Sequence, residues 1–363
     1  MKYRELGRTG LMVSEIGLGG EWLERHNTEE VREIIDVCEK EGINILDCWM
    51  SEPNVRSNIG LAIQGRRESW IIQGHIGSTW ENGQYVRTRD MAKVKPAFED
   101  LLNRIQTDYI DLGMIHFVDT EEEFDEALGS DFMDYVRQLK RDGVIRHIGM
   151  STHNPEIAKR AACQGEIEMI LFSVNPAFDM LPPITNIDDY FADSFDESLG
   201  GIAPEREELY KLCEQKGVGI TVMKAFGGGD LLSQYSPAGV ALTPFQCLHY
   251  ALTRPGVACV MVGARTVEEL VQCAAYENAP DSEKDYAAAF AAMPKISWEG
   301  HCMYCGHCAP CPRGIDVAAV TKFLNLAQAQ GQVPETVREH YAVLPHHAGE
   351  CIACGACEKR CPF

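Results

Sequence analysis

The amino-acid sequence predicts a (β/α)8 TIM barrel followed by a small, mainly α-helical, cysteine-rich domain. Three observations carry this. Eight short apolar runs rich in Val and Ile recur along the first part of the chain, amphipathic segments lie between them, and eight cysteines crowd the C-terminal end. The apolar runs are continuous rather than alternating, as in strands covered on both faces. Alternating β and α segments of this number fit a closed parallel barrel. A doubly wound open sheet would bring a Gly-rich phosphate loop after its first strand. "GLGGEWLERH" holds glycines but no GxGxxG.

The expected strands are, in order, SEIGLGG, NILDCW, WIIQGHI, IDLGMIH, IRHIGMS, MILFSVN, GITVMKA and ACVMVGA. The intervening helices include TEEVREIIDVCEKEG, MAKVKPAFEDLLNRI, PEREELYKLCEQKG and TPFQCLHYALTRPG. Several begin at Thr or Pro and stop at Gly, the usual helix start and stop signals. The barrel is expected over residues 1–290 and the second domain over 291–363, with a linker near AAMPKISWEG. Two short helices, DVAAVTKFLNLAQAQ and ETVREHYAVL, are expected between the two cysteine runs of that domain.

The chain has 363 residues, 45% hydrophobic and 24% charged, the composition of an ordinary globular protein. No apolar run reaches the ~18 residues a membrane span needs. The charged start MKYRELGRTG does not read as a secretory signal. A net charge of −21 argues against nucleic acid or an anionic membrane as partner. A small-molecule substrate and a cytoplasmic location are therefore expected. The acidic stretches Glu121–Glu126 and NIDDYFADSFDE read as solvated loops.

Active sites of such barrels lie at the C-terminal ends of the strands. The polar residues there are Asp47, Trp49 and Glu52 after the second strand, His75 after the third and His116 after the fourth. Ser151 and His153 follow the fifth, Ser173 and Asn175 the sixth, Lys224 the seventh and Arg265 the eighth. The two imidazoles His75 and His116 titrate near neutral pH and form a candidate acid–base pair that Asp47 or Glu52 would orient. The segment GSTWENGQYVRTRD is expected as a long loop at this face. Trp49 is a candidate substrate wall, Tyr85 a candidate acid, and Arg87 and Arg89 suit a substrate carboxylate or phosphate.

The first cysteine run, C-x2-C-x2-C-x2-C-P, holds Cys302, Cys305, Cys308 and Cys311. The second, C-x2-C-x2-C-x3-C-P, holds Cys351, Cys354, Cys357 and Cys361. Three thiolates at three-residue intervals wrap three corners of a cubane, and the Cys before Pro ligates the other cluster. Two 4Fe–4S clusters are therefore expected. Cys302, Cys305, Cys308 and Cys361 would hold one; Cys351, Cys354, Cys357 and Cys311 would hold the other. Zinc needs only paired CxxC motifs, and the triple spacing departs from that. Such clusters serve one-electron transfer, with a ferredoxin or flavodoxin-like protein as partner, or staple a domain too small to build its own core.

On RELGRTGLMVSEIGLGG, GINILDCW, DYIDLGMIH, IRHIGMSTHNPE, GVGITVMKAFGGG and VGARTVEEL, the first ~280 residues resemble an aldo/keto reductase. The tail resembles the two-cluster ferredoxin domain of a branch found in anaerobic bacteria. The resemblance implies hydride transfer between NADP(H) or NAD(H) and a carbonyl, with a Tyr acid, a Lys, an Asp and a His. The Asp maps to Asp47 and the His to His116. The Tyr position holds Glu52 and the Lys position His75, so the tetrad is altered to Asp47, Glu52, His75 and His116. Ser151, Asn175, Lys224, Gly263 and Arg265 map to cofactor contacts, although FSVN lacks the family's usual Gln and Gln272-Cys273 stand where it often has Glu-Asn. Hydride chemistry and one-electron relay need a converter such as a flavin, and no flavin signature is visible. Three function classes follow: an iron–sulfur oxidoreductase, a lyase or isomerase using His75 and His116, and a silent electron-transfer or docking protein.

Overall fold

A computed structural model describes residues 1–180, 203–234, 236, 240–286, 289, 308–329, 333, 338, 341–342 and 344–361. The chain opens with an antiparallel hairpin, β1 (Tyr3–Glu5) and β2 (Met12–Ser14). Eight parallel strands then close into a barrel. They are β3 (Ile16–Gly19), β4 (Ile45–Cys48), β5 (Ile71–Ile76), β8 (Ile110–Ile115), β9 (Ile145–Thr152), β10 (Met169–Ser173), β11 (Gly219–Met223) and β12 (Val257–Val262), with β12 returning to β3. Each coincides with one of the expected apolar runs.

The barrel has two apolar compartments, because side chains alternate across each strand. Inside, Ile45, Leu112, Met114, Met169, Leu171, Cys259 and Met261 pack with Leu6 and Val13 of the opening hairpin. Outside, Leu46, Ile72, Ile170, Val222 and Val260 pack against helix residues such as Ile34, Ile35, Phe98, Leu101 and Leu248. Burying each such side chain contributes roughly 2 kcal/mol before chain entropy is counted.

Local signals fix the helices. In α1 (Thr28–Glu41), Asn27 accepts from the Glu29 and Glu30 amides, Glu30 caps in return, and Gly42 ends the helix at φ 80°. Helices α2 (Pro53–Ala62) and α3 (Met91–Ile105) cover the β4–β5–β8 side. Buried carboxylates serve as anchors outside the mouth. Asp111 accepts from Arg67 (2.8 Å), Arg146 (3.2 Å) and the Ile72 amide (3.0 Å). Asp179 accepts from Arg206 (3.0 Å), Tyr210 (2.6 Å) and Tyr250 (2.9 Å). These bonds oppose the desolvation that burial imposes on both carboxylates, which at Asp179 still holds the carboxyl above its ordinary value.

Two expectations change. Residues 77–90 are not a loop but a hairpin, β6 (Ser78–Glu81) and β7 (Gln84–Arg87), turning at Asn82 (φ 52°) and Gly83 (φ 77°). Asn-Gly with both residues at positive φ supplies the twist such a hairpin needs. Glu121–Glu126 is not a loop but the first turns of α4 (Glu121–Leu128), where Thr120 and Glu123 form a capping box. Carboxylates there sit at the positive end of the helix dipole. The second acidic stretch, 186–197, lies outside the described residues.

Of the tail, the helix Val317–Ala329 is described, and Phe323 stacks on Arg25 (5.3 Å), which also lies over Trp22 (4.9 Å). The linker at 291–300, Cys302, Cys305 and most of the expected helix at 335–344 lie outside the described residues.

Gly60 marks where α2 meets α3. A Cβ there would stand 2.1 Å from the Arg104 carbonyl oxygen. Backbone cannot yield as a flexible side chain can, so Gly60→Ala is expected to cost about 2–3 kcal/mol. Urea unfolding of the two proteins measures this, and an unchanged midpoint would mean the helices separate freely.

Candidate functional site

The inner face of the barrel is apolar until its C-terminal end, where the inward positions of β4, β5 and β11 become Asp47, Gln73, His75 and Thr221. All four are buried. Asp47 Oδ1 accepts from Gln73 Nε2 at 2.7 Å and lies 3.0 Å from His75 Nε2. Gln73 Oε1 in turn accepts from Thr221 Oγ1 at 2.8 Å. The carboxylate is thus fixed from two neighbouring strand positions, and the amide from across the barrel.

From His75 the chain of contacts continues outward. Its Nδ1 lies 2.7 Å from Nδ1 of His116, and His116 Nε2 lies 2.5 Å from the Tyr85 hydroxyl. Taking Asp47 as the terminal acceptor, each donor follows. His75 donates from Nε2, His116 donates from Nδ1 to His75, and Tyr85 donates to His116 Nε2. Four side chains from β4, β5, β7 and the end of β8 form one hydrogen-bonded line.

The histidines are buried, whereas Trp49 and Tyr85 are half-buried. Trp49 lies parallel to His116 (centroids 6.2 Å apart, planes 5° apart) and edge-on to Tyr85 (5.4 Å). A molecule reaching this line therefore meets Trp49 and Tyr85 first. Arg89 clamps the base of the hairpin, donating from Nη2 to the carbonyls of His116 (2.5 Å) and Phe117 (3.2 Å). Phe117 is held at φ 54°, and Ser151 Oγ accepts its amide at 2.7 Å. Burial, followed by the neighbouring imidazole of His75, holds His116 well below the ordinary histidine value. Burial pushes the Tyr85 phenol above its ordinary value. At neutral pH His116 is a neutral acceptor and Tyr85 keeps its proton.

Other expected residues lie elsewhere. Glu52 does not reach the histidines; it caps α2, accepting from the Val55 amide (2.8 Å) and Asn54 Nδ2 (3.0 Å). Arg87 pairs with Glu123 (2.7 Å) and stacks on Phe117 (4.3 Å). Asn175 is committed to backbone, accepting from Phe178 N and donating to the Lys224 carbonyl (both 2.9 Å). Arg265 pairs with Glu269 (2.5 Å), its carbonyl lies 2.8 Å from His26 Nε2, and Trp22 lies over Gly263. Lys224 differs. Its backbone is at φ 59°, and its buried Nζ has no hydrogen-bond partner among the described residues. Gln73, Thr221 and Arg89 complete the site. Gln73 was available from the two-residue period of the strand, which puts it on the face of His75.

In the tail, Arg360 donates to the carbonyls of Cys308 (3.4 Å) and Pro310 (3.0 Å), tying the second cysteine run to the first. Backbone amides point at sulfur in both runs: Arg313 N to Cys311 (3.5 Å) and Ala353 N to Cys351 (3.3 Å). Among the described residues, no three His, Cys, Asp or Glu side chains converge as a metal site.

A family model described as the Aldo/keto reductase family matches residues 15–240. The uncharacterized oxidoreductase YqkF of Bacillus subtilis is 28% identical over 281 residues, 74% of this chain and 89% of its own. An aldo-keto reductase of Bacillus halodurans in holo form superposes with a TM-score of 0.61 at 24% identity, over 81% of this chain and 98% of that one. An aldo/keto reductase of Klebsiella pneumoniae, in complex with NADP and acetate, gives 0.57 at 18% identity, over 82% and 97%. These two structural likenesses speak for the fold.

The neutral His116 makes stability depend on pH. The unfolded chain binds a proton there below about pH 6.5 and the folded one does not. The stability this contributes is complete above that pH and is lost as pH falls below it. Between pH 7 and pH 5 the urea midpoint of the wild-type chain is expected to fall more steeply than that of His116→Gln. Parallel slopes would mean that His116 takes up a proton inside the fold.

Proposed function

The chain belongs to the aldo/keto reductase family, and from that premise we propose an oxidoreductase acting on a small carbonyl or alcohol, with its proton donor carried by the β6–β7 hairpin. The observation that supports this is the 2.5 Å contact of Tyr85 with His116. In this reading the tetrad is altered. The position of the family's Tyr holds Glu52, engaged in capping, and that of its Lys holds His75. Tyr85 supplies the missing phenol from outside the barrel strands.

A carbonyl oxygen that receives hydride becomes an alkoxide, a far stronger base than a phenolate. Tyr85 would donate its proton to that oxygen downhill, even with its own value raised by burial. The phenolate left behind would be reprotonated by water, because His116 Nε2 is an acceptor and carries no proton. The line is set to run inward: once Tyr85 hands a proton to His116 Nε2, His116 would pass its Nδ1 proton to His75, and His75 its Nε2 proton toward Asp47. Trp49 would form one wall for the substrate. In the oxidative direction the same line carries the proton away.

The residues fit a nicotinamide dinucleotide at one end. The buried Nζ of Lys224, without a hydrogen-bond partner among the described residues, belongs to the segment that leads into Gly227, Gly228 and Gly229 at φ 58°, 72° and 102°. Such a place suits an anionic group such as a pyrophosphate. Lys224 would hold NADP(H) or NAD(H), with Ser151, Gly263 and Arg265 as the further contacts that the family resemblance implies; bound there, the nicotinamide would supply or accept the hydride.

The tail, as a second domain over 291–363, would hold two 4Fe–4S clusters through the eight cysteines assigned above. The donor set is all thiol, and amides directed at Cys311 and Cys351 suit thiolate sulfur. The clusters supply one-electron transfer, for which a ferredoxin or flavodoxin-like protein is the matching partner. A redox-neutral lyase or isomerase is the competing reading, favoured by the direct contact of His75 with His116.

Anaerobic purification with iron and sulfide analysis, followed by NADPH or NADH titration, tests the proposal. About eight irons are expected, falling by about half in Cys354→Ser, together with nicotinamide binding. Turnover with no electron donor would establish the redox-neutral reading instead. Tyr85→Phe is expected to lower kcat about 100-fold or more, with KM little changed. An unchanged kcat would remove Tyr85 from the chemistry.

A further inference from the structure

The β6–β7 hairpin leaves the barrel between β5 and α3, and among the described residues its strands pair only with each other. Other contacts must therefore fix it against the rim. The ion pairs Arg87–Glu123 (2.7 Å) and Lys93–Glu81 (2.8 Å) join partly exposed side chains, and such pairs constrain little. Arg89 holds the β8 side through the carbonyls of His116 and Phe117. The β4 side is held by two serines.

Ser51 follows β4 and Ser78 opens β6, and each is 1% exposed. Ser78 Oγ donates to the Trp49 carbonyl at 2.8 Å, and Ser51 Oγ donates to the Thr79 carbonyl at 2.6 Å. The bonds are reciprocal: each segment gives one hydroxyl and takes one on its backbone. Removing either hydroxyl leaves a carbonyl at the rim to find another donor, which is costly where water is scarce. The clasp also ends on the residues that face the site. Across the hairpin Ser78 stands opposite Arg87 and Trp80 opposite Tyr85, so the two-residue period puts Ser78 and Tyr85 on one face. Trp49, whose carbonyl Ser78 holds, lays its ring edge-on to Tyr85 (5.4 Å) and parallel to His116.

We propose that Ser51 and Ser78 are positioning residues that hold the Tyr85 hydroxyl on His116 Nε2. Their clasp makes the Trp49 segment and the hairpin one body, with Arg89 fixing that body to the end of β8. Its bearing on catalysis rests on the reading of Tyr85 as proton donor. Proton transfer needs hydrogen-bond distance, so a displacement of about 1 Å at the hairpin is enough to slow it.

The test uses the full chain purified anaerobically, with NADPH and glyoxal as the carbonyl probe. Ser78→Thr and Ser78→Val have the same shape and differ in the hydroxyl alone, and Ser51→Thr and Ser51→Val form the same pair at the other end. Each Val variant is expected to lower kcat about 10-fold with KM little changed, and each Thr variant to recover most of that loss. Ser51→Ala and Ser78→Ala add no volume and repeat the comparison where Val does not fit. In a Tyr85→Phe background the Val changes are expected to cost nothing more, because the serines act through the phenol. A second readout needs no turnover: nitrogen NMR of isotope-labelled histidine, with the His116 signals identified by their loss in His116→Gln. Tyr85→Phe removes the donor from Nε2 and moves that resonance. The Val variants are expected to move it the same way and the Thr variants to leave it in place. An equal loss of kcat with and without Tyr85, or an Nε2 resonance unmoved in the Val and Ala variants, would overturn the proposal. If Tyr85→Phe itself leaves kcat unchanged, the reading of Tyr85 as proton donor fails, and the resonance alone decides whether the clasp holds the phenol.

Discussion

The site depends on a carboxylate that the barrel interior would ordinarily exclude. Asp47 is 4% exposed, in a layer directly above a methionine- and leucine-filled core. An ionised group can stay there only if its oxygens are bonded, since the desolvation cost of a charge far exceeds any single packing gain. Gln73 and His75 answer that need from one strand, and both are thereby fixed in rotamer and orientation. The orientation of His75 sets which nitrogen faces His116, and this sets which nitrogen faces Tyr85. The polar mouth is a consequence of satisfying one buried charge.

The second constraint is the crossing from barrel to hairpin. His116 sits where β8 ends, and its carbonyl and that of Phe117 are bonded by Arg89, which follows β7. One side of the hairpin base is thus pinned to the same backbone that carries the imidazole. Tyr85 meets His116 from a fixed platform, so the short contact does not rest on the reach of a flexible loop.

The barrel was legible because its strands are covered on both faces. Runs such as IDLGMIH are apolar apart from Asp111 near the start and His116 at the rim, so fold and site were read from the same letters. Asp47, His75 and His116 stood out as polar residues ending apolar runs. Glu52 was misleading because its position in a family pattern outweighed a local signal. Pro53 follows it, and an acceptor side chain before Pro at the first helical position is a capping arrangement. The hairpin was equally available, since Asn82-Gly83 between two β-prone triplets is a strong turn signal. What could not be read was the clasp of Ser51 and Ser78. A serine near a strand end carries no mark of its partner, and these bonds follow from how the hairpin lies against the segment after β4.

The Asn-Gly turn has a consequence for how such a protein can change over time. In a barrel enzyme whose proton donor is built into a core strand, any alteration of that donor disturbs the packing of its neighbours. Here the phenol hangs on a short excursion whose tip, Asn82-Gly83, is exposed and whose strands, among the described residues, pair only with each other. The excursion can be lengthened, shortened or exchanged while the eight-stranded frame and the buried Asp47–His75–His116 line stay as they are. In the proposed reading, chemistry and substrate contact then become a replaceable part, and related chains are free to diversify at this one segment without refolding the rest.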